Sequence, residues 1–195
     1  MKTDVITVRS SGSRMENALE QADKVAAYKD LSHKDALHLR LLTEEAMGMM
    51  RSIAGNVEGL FWIEEDEGVF QLHLQVKTDM DETRRKQLLS ASSSGKNEAT
   101  RGIMGKIRAF FEPIDGLPVF FDASMCDSPN RVYTDMVWSM RGYEEQLMGC
   151  VEQKCDGAAE AWDELEKSVI SHVADDVKVS IYGRNVEMVI FKKMA

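Results

Sequence analysis

The sequence predicts an α+β fold, a two-layer α/β sandwich in which helices cover one face of a mixed or antiparallel sheet. Two stretches, 59–77 and 177–192, alternate apolar and polar residues around a short turn, which is typical of hairpins with one buried face. Other stretches repeat their apolar residues at helical spacing. The order along the chain is strand, helix, helix, hairpin, glycine-containing loop, helix, variable stretch, helix and hairpin.

The first half of the chain is predicted to form a short strand, two long helices and the first hairpin. The range Val5–Arg9 alternates as a strand, and residues 14–30 carry one apolar stripe. Ser32 precedes an acid three positions later, which is typical of a helix start, so we expect the second helix at His33 to about Ile53. The first hairpin is expected to turn at Glu67-Gly68.

The second half is less regular but still contains helical stretches and a closing hairpin. Gly102 begins an apolar-periodic helix, which Pro113 ends. The ranges expected to be helical are 81–90, 103–111, 139–149 and 157–174, and the second hairpin is expected to turn at Gly183-Arg-Asn. We therefore predict a single domain, residues 1–195, with a lid and insertion at about 113–160.

Composition limits the classes of function. The chain has 195 residues, of which 44% are hydrophobic, so one domain can bury a core without disulfides or metals. The formal net charge of −9 argues against direct nucleic-acid binding, which usually needs a basic surplus or stripe. No apolar run is long enough for a secretion signal or a membrane span, so we expect a cytoplasmic protein without a membrane partner.

Cysteines and histidines predict no metal centre. The three cysteines, Cys126, Cys150 and Cys155, are odd in number, which argues against a disulfide framework. A zinc site needs about four ligands, and no histidine is near Cys150 and Cys155, so we expect three reduced, mostly buried thiols. The four histidines are scattered and suggest no catalytic arrangement: His33, His38, His73 and His172.

Three features carry a resemblance to a known family. The second helix reads Leu41-Leu-Thr-Glu-Glu-Ala, with Glu45-Ala46 inside an apolar run, and the first hairpin follows it. A polar, lid-like stretch, Ser92 to Asn97, precedes Gly102-Ile-Met-Gly105. This layout resembles the histidine-kinase-like ATPases, which include gyrase, heat-shock chaperone, histidine kinase and mismatch-repair ATPases. The closest branch is that of the bacterial anti-sigma-factor serine kinases.

The resemblance implies a role for particular residues. Glu45 would be the catalytic base, while Thr78 and Asp79 would bind the adenine amino group of ATP. The phosphates would lie against the glycine-rich lid and the helix that follows it, at Gly95, Lys96, Gly102 and Gly105. The resemblance also implies an ATP-dependent serine-protein kinase or ATPase activity, a homodimer, and a protein partner that is sigma-factor-like or another regulator.

Two departures from the family pattern bear on catalysis. The family places an Asn, the ligand of Mg²⁺, four residues after the glutamate, but here that residue is Met49. A thioether is a poor ligand for Mg²⁺, which prefers oxygen. Met80 stands where the family has a glycine after the adenine-binding acid. Mg²⁺ binding is therefore doubtful, no metal ligand is predicted, and we expect catalysis to be weakened or lost.

Each of these assignments has a structural alternative. Glu45 can lie at the solvated edge of its helix, and Asp79 can be part of an acidic turn. Residues 92–102 can form an ordinary surface loop. The triplet Ser94-Gly95-Lys96 is not a P-loop, because the required upstream glycine and the following Ser or Thr are missing. The rival function is a non-enzymatic interaction module that holds a protein with the eroded pocket or with the insertion, which carries Trp138 and Tyr143.

Overall fold

The computed structural model describes residues 1–9, 13–54, 58–77, 136–155, 157–182 and 185–194. In chain order the elements are β1 Ile6–Arg9, α1 Ser13–Tyr28, α2 His33–Ala54, β2 Glu58–Asp66, β3 Val69–Lys77, β4 Met136–Ser139, α3 Met140–Glu152, α4 Ala158–Glu166, α5 Val169–Val173, β5 Asp176–Tyr182 and β6 Asn185–Lys193. The predicted helices at 81–90 and 103–111 lie outside the described residues.

The six strands form one sheet in the order β1-β2-β3-β6-β5-β4, and every described pair of neighbours is antiparallel. Strands β3 and β6 pair from Val69 opposite Lys193 to Lys77 opposite Asn185, so the two hairpins are joined side by side. The α+β class and the placement of both hairpins in one sheet are therefore confirmed.

One face of this sheet carries the core. The buried residues of the strands alternate with less buried ones, so they all point to the same side of the sheet. Buried residues from all five helices join them in one cluster, whose largest fully buried side chains include Phe61, Ile63, Leu72, Leu74 and Ile190 from the strands and Leu39, Leu42, Met47 and Met50 from α2. Among the described residues, helices therefore cover only this face of the sheet.

Gly59 fits the close pairing of β2 with β3. A Cβ at this buried position would lie 2.9 Å from the backbone carbonyl oxygen of Gln75 on β3, whereas its 3.4 Å distance to the sulfur of Met50 on α2 is an ordinary contact. A larger residue would therefore distort the β2–β3 pairing.

The turn of the first hairpin lies where the sequence predicts it. Glu67 and Gly68 separate the paired residues Asp66 and Val69, and their φ angles are 48° and 80°. Two positive φ angles in a two-residue loop are typical of a type I′ turn, whose twist matches that of the flanking strands.

Two features of the second half differ from the sequence-based expectation. Strand β4 was not predicted, and it pairs with β5 at the edge of the sheet. The single helix expected at 157–174 is wrong, because Ser168 is extended (φ −76°, ψ 129°) and divides it into α4 and α5. The Ser171 hydroxyl lies 2.7 Å from the carbonyl oxygen of Leu165 and 2.8 Å from that of Ser168, so its proton bridges acceptors on both sides of the break. The boundaries of the lid and insertion stay a prediction.

Candidate functional site

Glu45 lies in the second half of α2, and it is the one predicted site residue within the described part of the chain. Its side chain is half-buried, and no hydrogen bond or ion pair joins it to another described residue. The neighbouring Glu44 is exposed and lies 3.9 Å from Arg40, which also makes a 2.5 Å ion pair with Asp23 of α1. Of the two adjacent carboxylates, Glu45 is therefore the one that no described cation neutralises.

Met49, one turn after Glu45, is part of the core. Its side chain is only 4% exposed, and Met47 and Met50 beside it are buried as well. Three methionines of α2 thus pack in the core. A buried thioether next to Glu45 leaves no oxygen ligand at the position where the family places one.

The remaining predicted site residues lie outside the described residues: Thr78, Asp79, Gly95, Lys96, Gly102 and Gly105. Strand β3 ends at Lys77, directly before Thr78, and the buried side chains of the strand pack beneath α2. Whether these residues come together with Glu45 stays a prediction.

The face of the sheet opposite the helices carries a second cluster, which the sequence analysis did not identify as a site. Trp62 and His73 are directly opposite each other on β2 and β3, and their rings stack at 4.7 Å with an interplanar angle of 9°. His73 Nδ1 lies 3.2 Å from Glu187 Oε1, while its buried Nε2 has no hydrogen-bond partner in the part of the chain that the structure describes. The alternation of the hairpin places His73 on the polar face but does not reveal its stacking partner.

The same cluster extends to the N-terminus. Lys2 Nζ lies 5.2 Å from the centre of the Trp62 ring and 2.9 Å from Glu64 Oε1. Trp62 Nε1 donates to the same carboxylate at 2.8 Å. Hydrogen bonds from Lys2 and then from Trp62 lower the pKa of Glu64 below its ordinary value. This face therefore offers an aromatic platform bordered by fixed charges, which is an arrangement suited to contact with a protein.

A groove of about 550 Å³ lies between α1 and the N-terminal residues. Gln21 forms part of its wall and donates to the Asp4 carbonyl oxygen at 2.8 Å and to the Thr3 hydroxyl. The Thr3 hydroxyl oxygen also accepts a 2.9 Å hydrogen bond from the Ile63 backbone N–H. The polar groups of the groove thus fasten the N-terminal segment to the sheet and to α1.

The aromatic residues singled out in the insertion lie next to each other. The ring centres of Trp138 and Tyr143 are 6.2 Å apart, and the buried Tyr143 hydroxyl has no hydrogen-bond partner among the described residues. Burial, with a smaller contribution from the negative charge of Glu164, raises the pKa of Tyr143. Both rings are partly buried and pack against the core.

Within the described ranges, no group of three or more His, Cys, Asp or Glu side chains is arranged to hold a metal ion. None of the described helices is long and apolar enough to span a membrane.

Comparisons of the chain with protein-family models, with curated proteins and with solved structures found no match.

Proposed function

We propose that the chain is a cytoplasmic ATP-binding regulatory protein that resembles the anti-sigma-factor serine kinases and has weakened or lost catalysis. The observation that carries this proposal is the contrast between Glu45 and Met49 on one helix. Glu45 is half-buried and not neutralised by any described cation, as a base for phosphoryl transfer could be, whereas Met49 is buried in the core. Phosphoryl transfer depends on metal ions that neutralise the phosphates, and a thioether does not supply a ligand for them.

The order of the elements supports the ATPase-like part of the proposal. A short strand and two helices precede the first hairpin, and a second hairpin closes the chain in the same sheet. This is the layout on which the resemblance depends, and α2 carries Glu45 above the sheet. By the same resemblance, the protein would form a homodimer and bind a protein regulator.

Isothermal titration with ATP, with Mg²⁺ and with EDTA, tests the proposal. We expect weak, salt-sensitive binding that changes little when the metal is removed, because the remaining contacts to phosphate are those of the chain alone. Tight binding that depends on Mg²⁺, together with ATP turnover, would show that catalysis is intact. In that case Glu45→Gln should abolish turnover, and Glu44→Gln, which changes the exposed neighbouring carboxylate, should not.

A second candidate is a non-enzymatic interaction module on the same fold, and the aromatic cluster on the sheet face opposite the described helices favours it. Trp62 and His73 lie on the face that no described helix covers, and aromatic residues are enriched at protein interfaces. This function predicts no ATP binding even at millimolar nucleotide. It also predicts that Trp62→Ala weakens binding to the protein partner, a regulator that is sigma-factor-like or of another class, while leaving the fold intact.

A further inference from the structure

Helix α3 ends in a Schellman motif that brings Cys150 and Cys155 together. The backbone N–H of Cys155 donates to the carbonyl oxygen of Cys150 at 2.9 Å, and the N–H of Lys154 donates to that of Val151 at 3.1 Å. Lys154 has a φ angle of 55°, which is the left-handed conformation that this motif requires. The two cysteines therefore occupy the two positions whose side chains commonly touch across such a helix end.

A second helix end in the same chain shows what these positions usually hold. At the end of α1, Leu31 N–H donates to the Ala26 carbonyl oxygen at 3.0 Å, Asp30 N–H donates to that of Ala27 at 3.3 Å, and Asp30 has a φ angle of 49°. Ala26 is buried and Leu31 packs against the core, so α1 has the apolar pair that is typical of the motif. At the end of α3 two thiols take the place of that pair.

The hydrogen bond also limits the distance between the two cysteines. Adding its 2.9 Å to the standard Cα-to-O and N-to-Cα spans leaves the two Cα atoms at most about 6.8 Å apart, which is within the range found in disulfides. Cys155 is exposed and Cys150 is half-buried, so the expectation of mostly buried thiols is wrong for Cys155, and an oxidant can reach that residue first.

We propose that Cys150 and Cys155 form a reversible dithiol–disulfide site that reacts with low-molecular-weight disulfides such as oxidised glutathione. The Cys155 thiolate attacks one sulfur of glutathione disulfide, which gives a mixed disulfide and releases one glutathione thiolate. The Cys150 thiolate then attacks the Cys155 sulfur, which forms the Cys150–Cys155 bond and releases the second glutathione. The two protein thiols lose two electrons and two protons in total, and the glutathione disulfide gains them as two thiols.

This site does not depend on nucleotide binding, since it lies at the end of α3 and involves no residue of the proposed ATP pocket. In a reducing compartment a disulfide of this kind is transient, as expected for a redox-responsive pair rather than a structural crosslink. The bond would close a ring around the last turn of α3 and fix the connection between α3 and α4.

The experiment equilibrates the full chain in buffers of reduced and oxidised glutathione, followed by alkylation, trypsin digestion and mass spectrometry. Trypsin cleaves after Lys154, so the disulfide is detected as the peptides Gly142–Lys154 and Cys155–Lys167 joined together. We expect this linked pair in the wild type and in Cys126→Ser. In Cys150→Ser we expect a glutathione adduct on Cys155 that persists. A persistent adduct on Cys155 of the wild type, or a disulfide that involves Cys126, would overturn the proposal.

A pair of variants tests whether the helix end, rather than closeness in sequence, makes the site. Lys154→Gly keeps the left-handed conformation, whereas Lys154→Val places a β-branched residue where it is strongly disfavoured. Both variants lose the trypsin site between the cysteines, so their disulfide is measured on the single peptide 142–167, as the fraction of that peptide that alkylation leaves unmodified. We expect the disulfide of the glycine variant to form at least as readily as in the wild type, and that of the valine variant to have a several-fold smaller equilibrium constant. Equal constants in the two variants would exclude the Schellman geometry as the cause.

Discussion

The side-chain amide of Gln21 on α1 donates a 2.8 Å hydrogen bond to the Asp4 carbonyl oxygen, at the edge of the sheet where the strand pairing is irregular. Lys2 pairs with Glu64 and Ile6 pairs with Phe61, so three residues of the N-terminal segment face two residues of β2. The extra residue interrupts the pairing between this isolated bridge and β1, and an irregular sheet edge of this kind discourages pairing with other chains.

The Gln21→Ala variant should therefore loosen the N-terminal edge. The side-chain donor to Asp4 and Thr3 is lost, so we expect the free energy of unfolding to fall by about 1 kcal/mol. Denaturant unfolding followed by circular dichroism measures the change. Lys24→Ala is the matched control, because Lys24 is exposed on the same helix and pairs only with the exposed Glu20 within the described residues. Equal stability of the two variants would contradict this role of Gln21.

Met49→Asn tests whether residue 49 lines a nucleotide pocket or is packed in the hydrophobic core. At 4% exposure the new amide would be buried, and an unpaired buried amide costs on the order of 1–3 kcal/mol. We expect a clear drop in Tm with no gain of Mg²⁺-dependent ATP affinity. Met148→Asn, at a position that is 53% exposed on α3, should change the Tm little. A gain of metal dependence with unchanged Tm would place residue 49 in a pocket.

Glu67→Asn should stabilise the protein, because Asn-Gly is the preferred sequence of a type I′ turn. Glu67 now has a φ angle of 48°, a conformation that asparagine adopts at lower cost than glutamate. We expect the free energy of unfolding to rise by roughly 0.5 kcal/mol. Glu67→Val, which places a β-branched residue at positive φ, should lower it, and thermal melts of the two variants should show opposite shifts.

Tyr143 should titrate at higher pH than an ordinary tyrosine. Burial raises its pKa in the folded protein, so the native state holds the proton more tightly than the unfolded state does. The resulting stabilisation is complete below the ordinary tyrosine pKa and is lost as the pH rises through the raised value. Ultraviolet titration should show a late phenolate signal that Tyr143→Phe removes. The substitution should not destabilise the protein, because the hydroxyl has no hydrogen-bond partner.

Lys96→Ala tests whether the predicted lid still binds phosphate. If Lys96 contacts phosphate in a partly desolvated site, its loss should weaken ATP binding by about 1 kcal/mol or more. Titrations at low and physiological salt, each with and without EDTA, measure the effect, and Lys34→Ala on α2 is the control. Identical affinities in wild type and Lys96→Ala would exclude the contact. Undetectable binding in both would favour the interaction module.

Much of the fold follows from local patterns in the sequence. The alternation in β2, β3, β5 and β6 identified both hairpins, because each strand buries one face and exposes the other. The periodicity of α1 and α2 placed those helices to within a few residues. Strand β4 escaped detection because four residues directly before a helix are too few to display a period, and the break at Ser168 lies inside an otherwise continuous apolar stripe.

The sites depend on contacts between residues that are distant in the sequence. Trp62 and His73 stack because of the register of a hairpin, and Gln21 meets Asp4 because α1 folds back over the edge of the sheet. Even the nearby cysteines became a pair only through the left-handed Lys154 that ends α3. Hydrophobic periodicity is a property of each segment alone, so the sequence can reveal which elements form. Strand register, helix ends and the burial of Met49 result from packing between segments, so they required the tertiary structure.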